Sequence, residues 1–505
     1  MSNTYQSLGK RLVIGSSYYY TSLLINKAIT TISSIFLART LGPTNFGMIS
    51  IVNYLLLLLL FFTGFGIPTA SVKLITAYWT EDRREASSFI SSAFFINLLI
   101  IILITLFYYL LARDIASRIY RNENLAVLFR ISAFALFFFS LIQYGNSVVQ
   151  ALGEFKHLSF LLIFNSLVSL ILLIPLTKSF GIKGAVLSQS LTSLFVFLLL
   201  LRIFQFLRNR YHLLPLGISF HKIKEHFPKL LSFAFPLFLS GLVMTPALTI
   251  LTTLLSRLRS FQEVGFFNVG YSLTQIILFL PTAVGVPFIP LASRLVTEDR
   301  ERLKDFLLKT IYGVNIMVMV ICFLMSFFAH EIIHLFYGSK YESAQEILLL
   351  LVAASFLTSF GYIVGYYLLA VGKVWLGTLF NLIWFLIVLA PAFPLIKNLG
   401  LIGLGFAYFL SYAILAVIFC FYLRNHLKIG IRQLAMQLLI GTGFLVILFL
   451  IRILIPNVRG ITFSSPLVFI SFGLFSLFVL ATLFLIPKSF NKEMIIELIK
   501  RRNAT

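Results

Sequence analysis

Apolar runs of about 20 residues, each long enough to cross a ~30 Å hydrocarbon core as a helix, recur throughout this 505-residue chain. Fourteen can be marked, at 14–38, 44–68, 88–112, 128–152, 157–177, 184–204, 231–256, 262–288, 306–328, 346–371, 374–396, 402–423, 434–455 and 463–487. Only 11% of residues are charged and the mean hydropathy is +0.99, whereas a soluble protein carries roughly a quarter charged residues. The chain therefore lacks the polar surface to face water on all sides. An all-α polytopic membrane protein with 14 transmembrane helices and no sizeable soluble domain is expected.

Lys10 and Arg11 precede the first span, and no small-residue cleavage site follows it, so that helix is expected to be retained. Cys322 and Cys420 each stand alone in an apolar span and read as buried, inert thiols. The 40 Lys+Arg against 17 Asp+Glu could suggest nucleic acid, but their placement points elsewhere. With the N-terminus cytoplasmic, 26 of the 40 fall in the tails and the loops on that side, 13 fall on the other side, and Lys27 lies inside a helix. That two-to-one bias follows the positive-inside rule and puts both termini in the cytoplasm. The basic stretch from Arg202 to Lys229 is expected to lie on anionic lipid.

The chain also repeats itself. TEDR occurs at 80–83 and again at 297–300. ART-LGPTNFG (38–47) aligns with SRL-RSFQEVG (256–265), ALGE (151–154) with AVGK (370–373), and FGIKG (180–184) with LGLIG (399–403). The offset stays between 217 and 219 throughout. Two six-helix lobes are expected, at 1–205 and 231–425, joined by a basic linker at 206–230. Helices 13 and 14 and a basic tail would follow at 426–505. Six is even, so both lobes enter the membrane in the same direction, related by a pseudo-two-fold along its normal around a central cleft, an arrangement suited to alternating access.

Residues 329–338, AHEIIHLFYG, contain H-E-x-x-H, the spacing of a zinc-protease helix. At offset 217 they lie over ARDIASRIY (112–120), which places His330 on Arg113 and His334 on Ser117, next to Arg118. Arginines cannot ligate zinc, and no third ligand is evident. The motif reads as a polar helix end near headgroups, and no metal or other cofactor is expected.

At ARTLGPTNFG, TEDR, LFYG (335–338) and KLLSFAFPLFLSGL (229–242) the chain resembles the polysaccharide-transporter family, the O-antigen and oligosaccharide flippase branch of the multidrug/oligosaccharidyl-lipid/polysaccharide exporter superfamily. The resemblance covers nearly the whole chain. It implies a MATE-like fold, no enzymatic activity, and movement of a polyprenyl-diphosphate-linked glycan to the outer leaflet. The two C-terminal helices beyond twelve fit that branch, and also the related lipid II flippases, a more distant alternative.

Candidate binding residues follow from polarity inside the spans. Lys27 sits near the middle of helix 1, where a charge costs roughly 2.5–3.5 kcal/mol. Asn26, Lys27, Thr30 and Ser34 share a face at helical spacing that is expected to border water or the other lobe. Lys27 reads either as an attractor of lipid diphosphate or as a structural lysine bonded to backbone carbonyls or a hydroxyl. Arg39 and its repeat mate Arg257, with Arg259 nearby, could hold phosphate bidentately at the exit or merely anchor helix ends. Asn53 on helix 2, and Asn268, Tyr271 and Gln275 on helix 8, could meet sugar hydroxyls or glue helices together. Gln143, Asn146 and Gln150 on helix 4 are weaker candidates, and Tyr18, Tyr19 and Tyr20 read as an interfacial belt.

All 17 acids fall in loops, tails or helix ends. An exporter of organic cations would be expected to carry a buried carboxylate; the buried charge here is positive, which favours an anionic substrate. The rival readings are a multidrug exporter of the same fold and, further off, an intramembrane zinc protease. No phosphate-cradling Gly-rich loop suggests ATP drive. The expected partners are the lipid-linked glycan, membrane lipids, and the polymerase and glycosyltransferases of the same pathway. Nucleic acid is not expected, and the protein is expected to be a monomer in the cell membrane.

Overall fold

The computed structural model describes residues 2–213, 217, 220–242 and 244–454. The expected fourteenth helix at 463–487, the basic tail, part of the linker, and the side chains of Tyr19 and Tyr20 lie outside the described residues. No strand occurs among the described residues. The helices are α1 (Ser2–Gly64), α2 (Ile67–Glu81), α3 (Arg83–Asp114), α4 (Asn124–Ala151), α5 (Phe155–Tyr211), α6 (Phe220–Gly241), α7 (Met244–Leu258), α8 (Phe261–Glu298), α9 (Arg300–Phe327), α10 (Ala329–Tyr337), α11 (Ala344–Ala370), α12 (Val374–Leu427) and α13 (Ile431–Leu454). Eight helical stretches among the described residues are long and apolar enough to cross a membrane.

Three helices each carry two of the expected crossings, because the chain turns between them without leaving helical hydrogen bonding for long. In α1 the turn is at Gly42, φ 73 and ψ 171, followed by Pro43; proline suits the first position of the helix that restarts there. In α5 and α12 the turns fall at Gly181 (φ 57, ψ −134) and Gly400 (φ 61, ψ −133). Glycine adopts those angles at little cost, whereas a residue with a side chain would be strained there, and the two glycines are separated by the repeat offset of 219.

The repeat is therefore visible as geometry as well as letters. Asp82 caps α3 by accepting from the Arg84 N–H, and Asp299 caps α9 by accepting from Glu301 and Arg302. These are the aspartates of the two TEDR copies. The Thr76 hydroxyl donates to the Ala151 carbonyl at 3.3 Å, and Ser293 donates to Ala370 at 3.1 Å. His212 and Lys428, both left-handed, end α5 and α12. Each buried asparagine of the pair Asn97 and Asn315 reaches across to another helix: Asn97 to the Thr63 carbonyl and Asn315 to Gln437 on α13. The second bond fixes α13 against α9.

The described chain divides into two compact units, Met1–Gly265 and Phe266–Thr505. This division lies beyond the basic linker at 206–230. The reason is that α6 and α7 pack within the first unit. Phe238 stacks on Phe61 and Phe65 at centroid distances of 5.1 and 4.3 Å, and the Thr249 hydroxyl donates to the Tyr54 carbonyl at 3.0 Å. The network at the start of α6 is charged. His226, 1% exposed, contacts Glu85 at 2.8 Å and Ser92 at 3.0 Å. Lys222 bridges Glu85 and Glu225 at 3.1 and 3.0 Å. Hydrogen bonds to Glu225 and Glu85 raise the Lys222 pKa, and Lys222 in turn holds Glu225 below the usual carboxylate range. Glu85, Glu225 and His226 are grouped closely enough to hold a metal ion, but the Lys222 ammonium already supplies the positive charge between the two carboxylates.

Within the first unit the start of α8 crosses α1 at the glycines that the repeat pairs. A Cβ on Gly47 would stand 1.7 Å from the Phe261 carbonyl oxygen, and one on Gly265 would stand 2.3 Å from that of Pro43. Neither obstacle is a flexible side chain, so the backbones would have to part. Gly47→Ala and Gly265→Ala are each expected to cost about 1–3 kcal/mol, seen as a lowered thermal midpoint in detergent. Gly313→Ala, where a Cβ meets nothing within 4 Å, should not lower it.

Candidate substrate-binding site

The first unit holds a lined pocket within its bundle. Asn53 on α1 accepts a hydrogen bond from Gln189 Nε2 on α5 at 3.0 Å. Around this amide pair, Leu56, Leu57, Leu60, Leu136 and Phe139 line a half-open pocket of 290 Å³. Asn53 lies 11 residues past the turn at Gly42 and Gln189 eight past Gly181. At 1.5 Å per residue both amides sit roughly 12–17 Å below the turns, at mid-depth of the core. An apolar wall with a few convergent amides is the usual make-up of a small-molecule site. Amides both donate and accept, as sugar hydroxyls require.

Lys27 is exposed on α1, inside the stretch Thr21–Glu81 that reads as membrane-spanning. It is not among the residues lining the Asn53 pocket. Its ammonium makes no hydrogen bond or ion pair among the described residues. The hydroxyls of Thr30 and Thr31 both turn back to donate to the Lys27 carbonyl, at 2.9 Å each, so they are not arranged to hold the ammonium. One element of the sequence expectation needs correction. Asn26 does not share the Lys27 face; its Nδ2 donates to Ser166 Oγ on α5 at 2.8 Å. A step of one residue rotates a side chain by about 100°, so helix packing claims Asn26 and leaves Lys27 outward.

Arg39, Arg257 and Arg259 are all exposed, Arg39 three residues before the turn at Gly42 and the other two at the end of α7. Arg39 and Arg259 are already engaged by neighbouring groups. Among the weaker candidates, Gln143 is exposed and borders Gly64, while Asn146 has a buried, unpaired carbonyl oxygen.

In the second unit Asn268, Tyr271 and Gln275 are half-buried on α8. Tyr271 stacks on Phe267 at 5.7 Å. The HExxH residues lie on α10, where the His330 and His334 rings stack 6.0 Å apart. At the corresponding place in the first unit Arg118 pairs with Asp114 at 3.1 Å, so both copies are helix ends carrying polar side chains.

Sequence reasoning found Asn53 but missed Gln189, its partner. The signal was available: Gln189 follows the repeated FGIKG by five residues, in an otherwise small and apolar stretch. It also missed a further repeat match, Gly66-Ile67-Pro68 against Gly285-Val286-Pro287. In the first copy this is where α1 ends and α2 begins, with Gly66 left-handed. In the second the helix continues through Pro281, Pro287 and Pro290.

The fold is shared with solved membrane transporters. The lipid II flippase MurJ, in an inward closed conformation, matches with a TM-score of 0.70 at 16% identity, over 91% of this chain and 97% of that one. A multidrug-resistance MATE transporter of the MOP superfamily, facing inward, matches with a TM-score of 0.67 at 15% identity, over 80% and 94%. A MOP-superfamily transporter from Pyrococcus furiosus, described as having a binding pocket of reversed polarity, matches at 0.58 and 15% identity, over 83% and 95%. No curated protein sequence matches the chain significantly. At these identities the likeness establishes a MATE- and MurJ-like fold. The family model for polysaccharide biosynthesis proteins matches residues 12–296, more than half of the 505 residues, and the chain belongs to that family.

Proposed function

We propose that this protein is a flippase that carries a polyprenyl-diphosphate-linked oligosaccharide from the cytoplasmic to the outer leaflet, by alternating access of its two six-helix halves, for surface polysaccharide assembly. The observation that carries the reading is Lys27: a cation within a membrane-spanning stretch, without an acidic partner among the described residues, where every described acid lies within two turns of a helix end or outside helices. An unpaired charge there is costly and is retained where something of opposite sign passes. A diphosphate crossing a ~30 Å core is such a partner, since an uncompensated buried anion costs many kcal/mol. Arg39, Arg257 and Arg259, at helix ends on α1 and after α7, would receive it at the outer surface, and the Asn53–Gln189 pocket would meet sugar hydroxyls. In this reading the protein acts as a monomer in the cell membrane with both termini cytoplasmic. It passes its cargo from glycosyltransferases on one side to a polymerase on the other.

The test is a leaflet-sidedness assay in proteoliposomes loaded with a polyprenyl-diphosphate oligosaccharide. Lys27→Ala is expected to slow flipping at least about tenfold, while folded protein accumulates normally, because removing an unpaired charge from a membrane span relieves rather than creates a cost. Lys27→Arg should keep part of the rate. Wild-type flipping by Lys27→Ala would make Lys27 structural.

Loss of the gene provides a second, independent check. Depleted surface glycan with unchanged resistance to lipophilic cations is the expected phenotype. Lost resistance with normal glycan would favour a multidrug exporter instead.

A further inference from the structure

The repeat brings five polar residues of the first unit, of which Asn53 and Gln189 line its pocket, into register with a different chemistry in the second. At offsets of 218–219, Asn53 corresponds to Tyr271, Gln189 to Tyr408, Gln143 to Tyr362, Asn165 to Trp384 and Ser193 to Tyr412. Every one of these small polar side chains in the first unit is an aromatic in the second. The aromatics are also assembled. Trp384 on α12 lies 5.3 Å from Tyr412 and 6.1 Å from Tyr408, ring centroid to ring centroid. Tyr408 lies 5.9 Å from Phe267, on which Tyr271 stacks. Tyr362 on α11 lies within electrostatic reach of both Tyr271 and Tyr412. Three helices, α8, α11 and α12, thus converge on one aromatic wall.

Two features set this wall apart from ordinary core. It is not closed over: Tyr362 is 38% exposed and Tyr271 and Tyr412 are half-buried, whereas most of α11 around them is buried. It also keeps a polar donor in reserve. Trp384 is 4% exposed, and its buried indole N–H has no hydrogen-bond partner among the described residues. A buried donor left unpaired costs about 1–3 kcal/mol, and tryptophan is normally placed so that its N–H finds a partner. Aromatic faces edged with hydroxyls suit a pyranose, whose C–H face lies against a ring while its rim hydroxyls bond to phenols and amides. They suit neither a diphosphate, which needs cations, nor a polyprenyl chain, which needs no hydroxyls.

We propose that the Tyr271–Tyr362–Trp384–Tyr412 wall of the second unit is a sugar-stacking subsite, the aromatic counterpart of the Asn53–Gln189 pocket. It reads the glycan and is indifferent to the lipid diphosphate. The inference rests on the flippase reading for the presence of a glycan and goes beyond it in assigning where, and by what chemistry, the sugar is held.

The chain has three tryptophans, Trp79, Trp375 and Trp384, so Trp79→Phe/Trp375→Phe leaves Trp384 as the single indole reporter. Purified protein in detergent is titrated with polyprenyl-diphosphate oligosaccharides isolated from the source membranes and, separately, with bare polyprenyl diphosphate. The glycan-bearing lipid is expected to change Trp384 emission, and the bare lipid is not. Tyr362→Ala, which removes an exposed ring, should weaken binding of the glycan-bearing lipid about tenfold or more, as truncating an aromatic anchor does, and leave bare-lipid binding unchanged. Tyr362→Phe should restore most of it. Equal emission changes with both lipids, or undiminished glycan binding by Tyr362→Ala, would overturn the subsite while leaving the flippase reading intact. Failure of the wild-type protein to bind either lipid would overturn the flippase reading and the subsite together.

Discussion

Inside hydrocarbon every peptide N–H and C=O must find its partner within the protein, and the architecture follows from how this chain meets that demand. Helices satisfy it along their length, so polar side chains in the spans become informative wherever a helix bends or ends. α1 ends at Gly64, and the carbonyls of its last turn lose their helical partners. Asn97 on α3 donates to one of them, that of Thr63, at 2.8 Å, and the Thr63 hydroxyl meets Ser140 at 2.7 Å. A buried asparagine there is a consequence of the helix break. Its repeat mate Asn315 has no such break to serve and is used instead to hold Gln437, and with it α13.

The same accounting separates structural polarity from polarity that points to a substrate. Asn26, Asn97, Asn315 and Ser140 are bonded to helix backbones or to neighbouring helices. Among the described residues Lys27 has no such bond, and Asn53 is bonded only to Gln189 in a pair that borders open space. The two halves also resolve differently. The first presents amides and the second aromatics at matched positions, so duplication has supplied one scaffold and divergence two chemistries.

Much of the scaffold was legible in the letters because its determinants are local. Gly181 and Gly400 fix their turns through φ alone, the TEDR aspartates cap the helices that follow them, and apolar run length marks the spans. The division of the chain into units was not legible. α6 and α7 join the first unit through Phe238 on Phe61 and Phe65 and Thr249 on Tyr54, contacts some 170–200 residues apart that no local pattern announces. The orientation of Asn26 was misjudged for a related reason: helical spacing groups residues within about 100°, and only Ser166 across the interface decides which of them turns inward. Gln189 and the aromatic wall escaped notice because each is meaningful only beside its repeat mate.

Alternating access is most directly tested at Asn53. Cys322 and Cys420 are both buried, so Cys322→Ala/Cys420→Ala with Asn53→Cys gives a single thiol in the pocket. The account predicts that a membrane-impermeant maleimide labels it when added from either side of the membrane, and that the polyprenyl-diphosphate oligosaccharide protects it from both. Labelling from one side only, or labelling that the glycan lipid leaves unchanged, would contradict it.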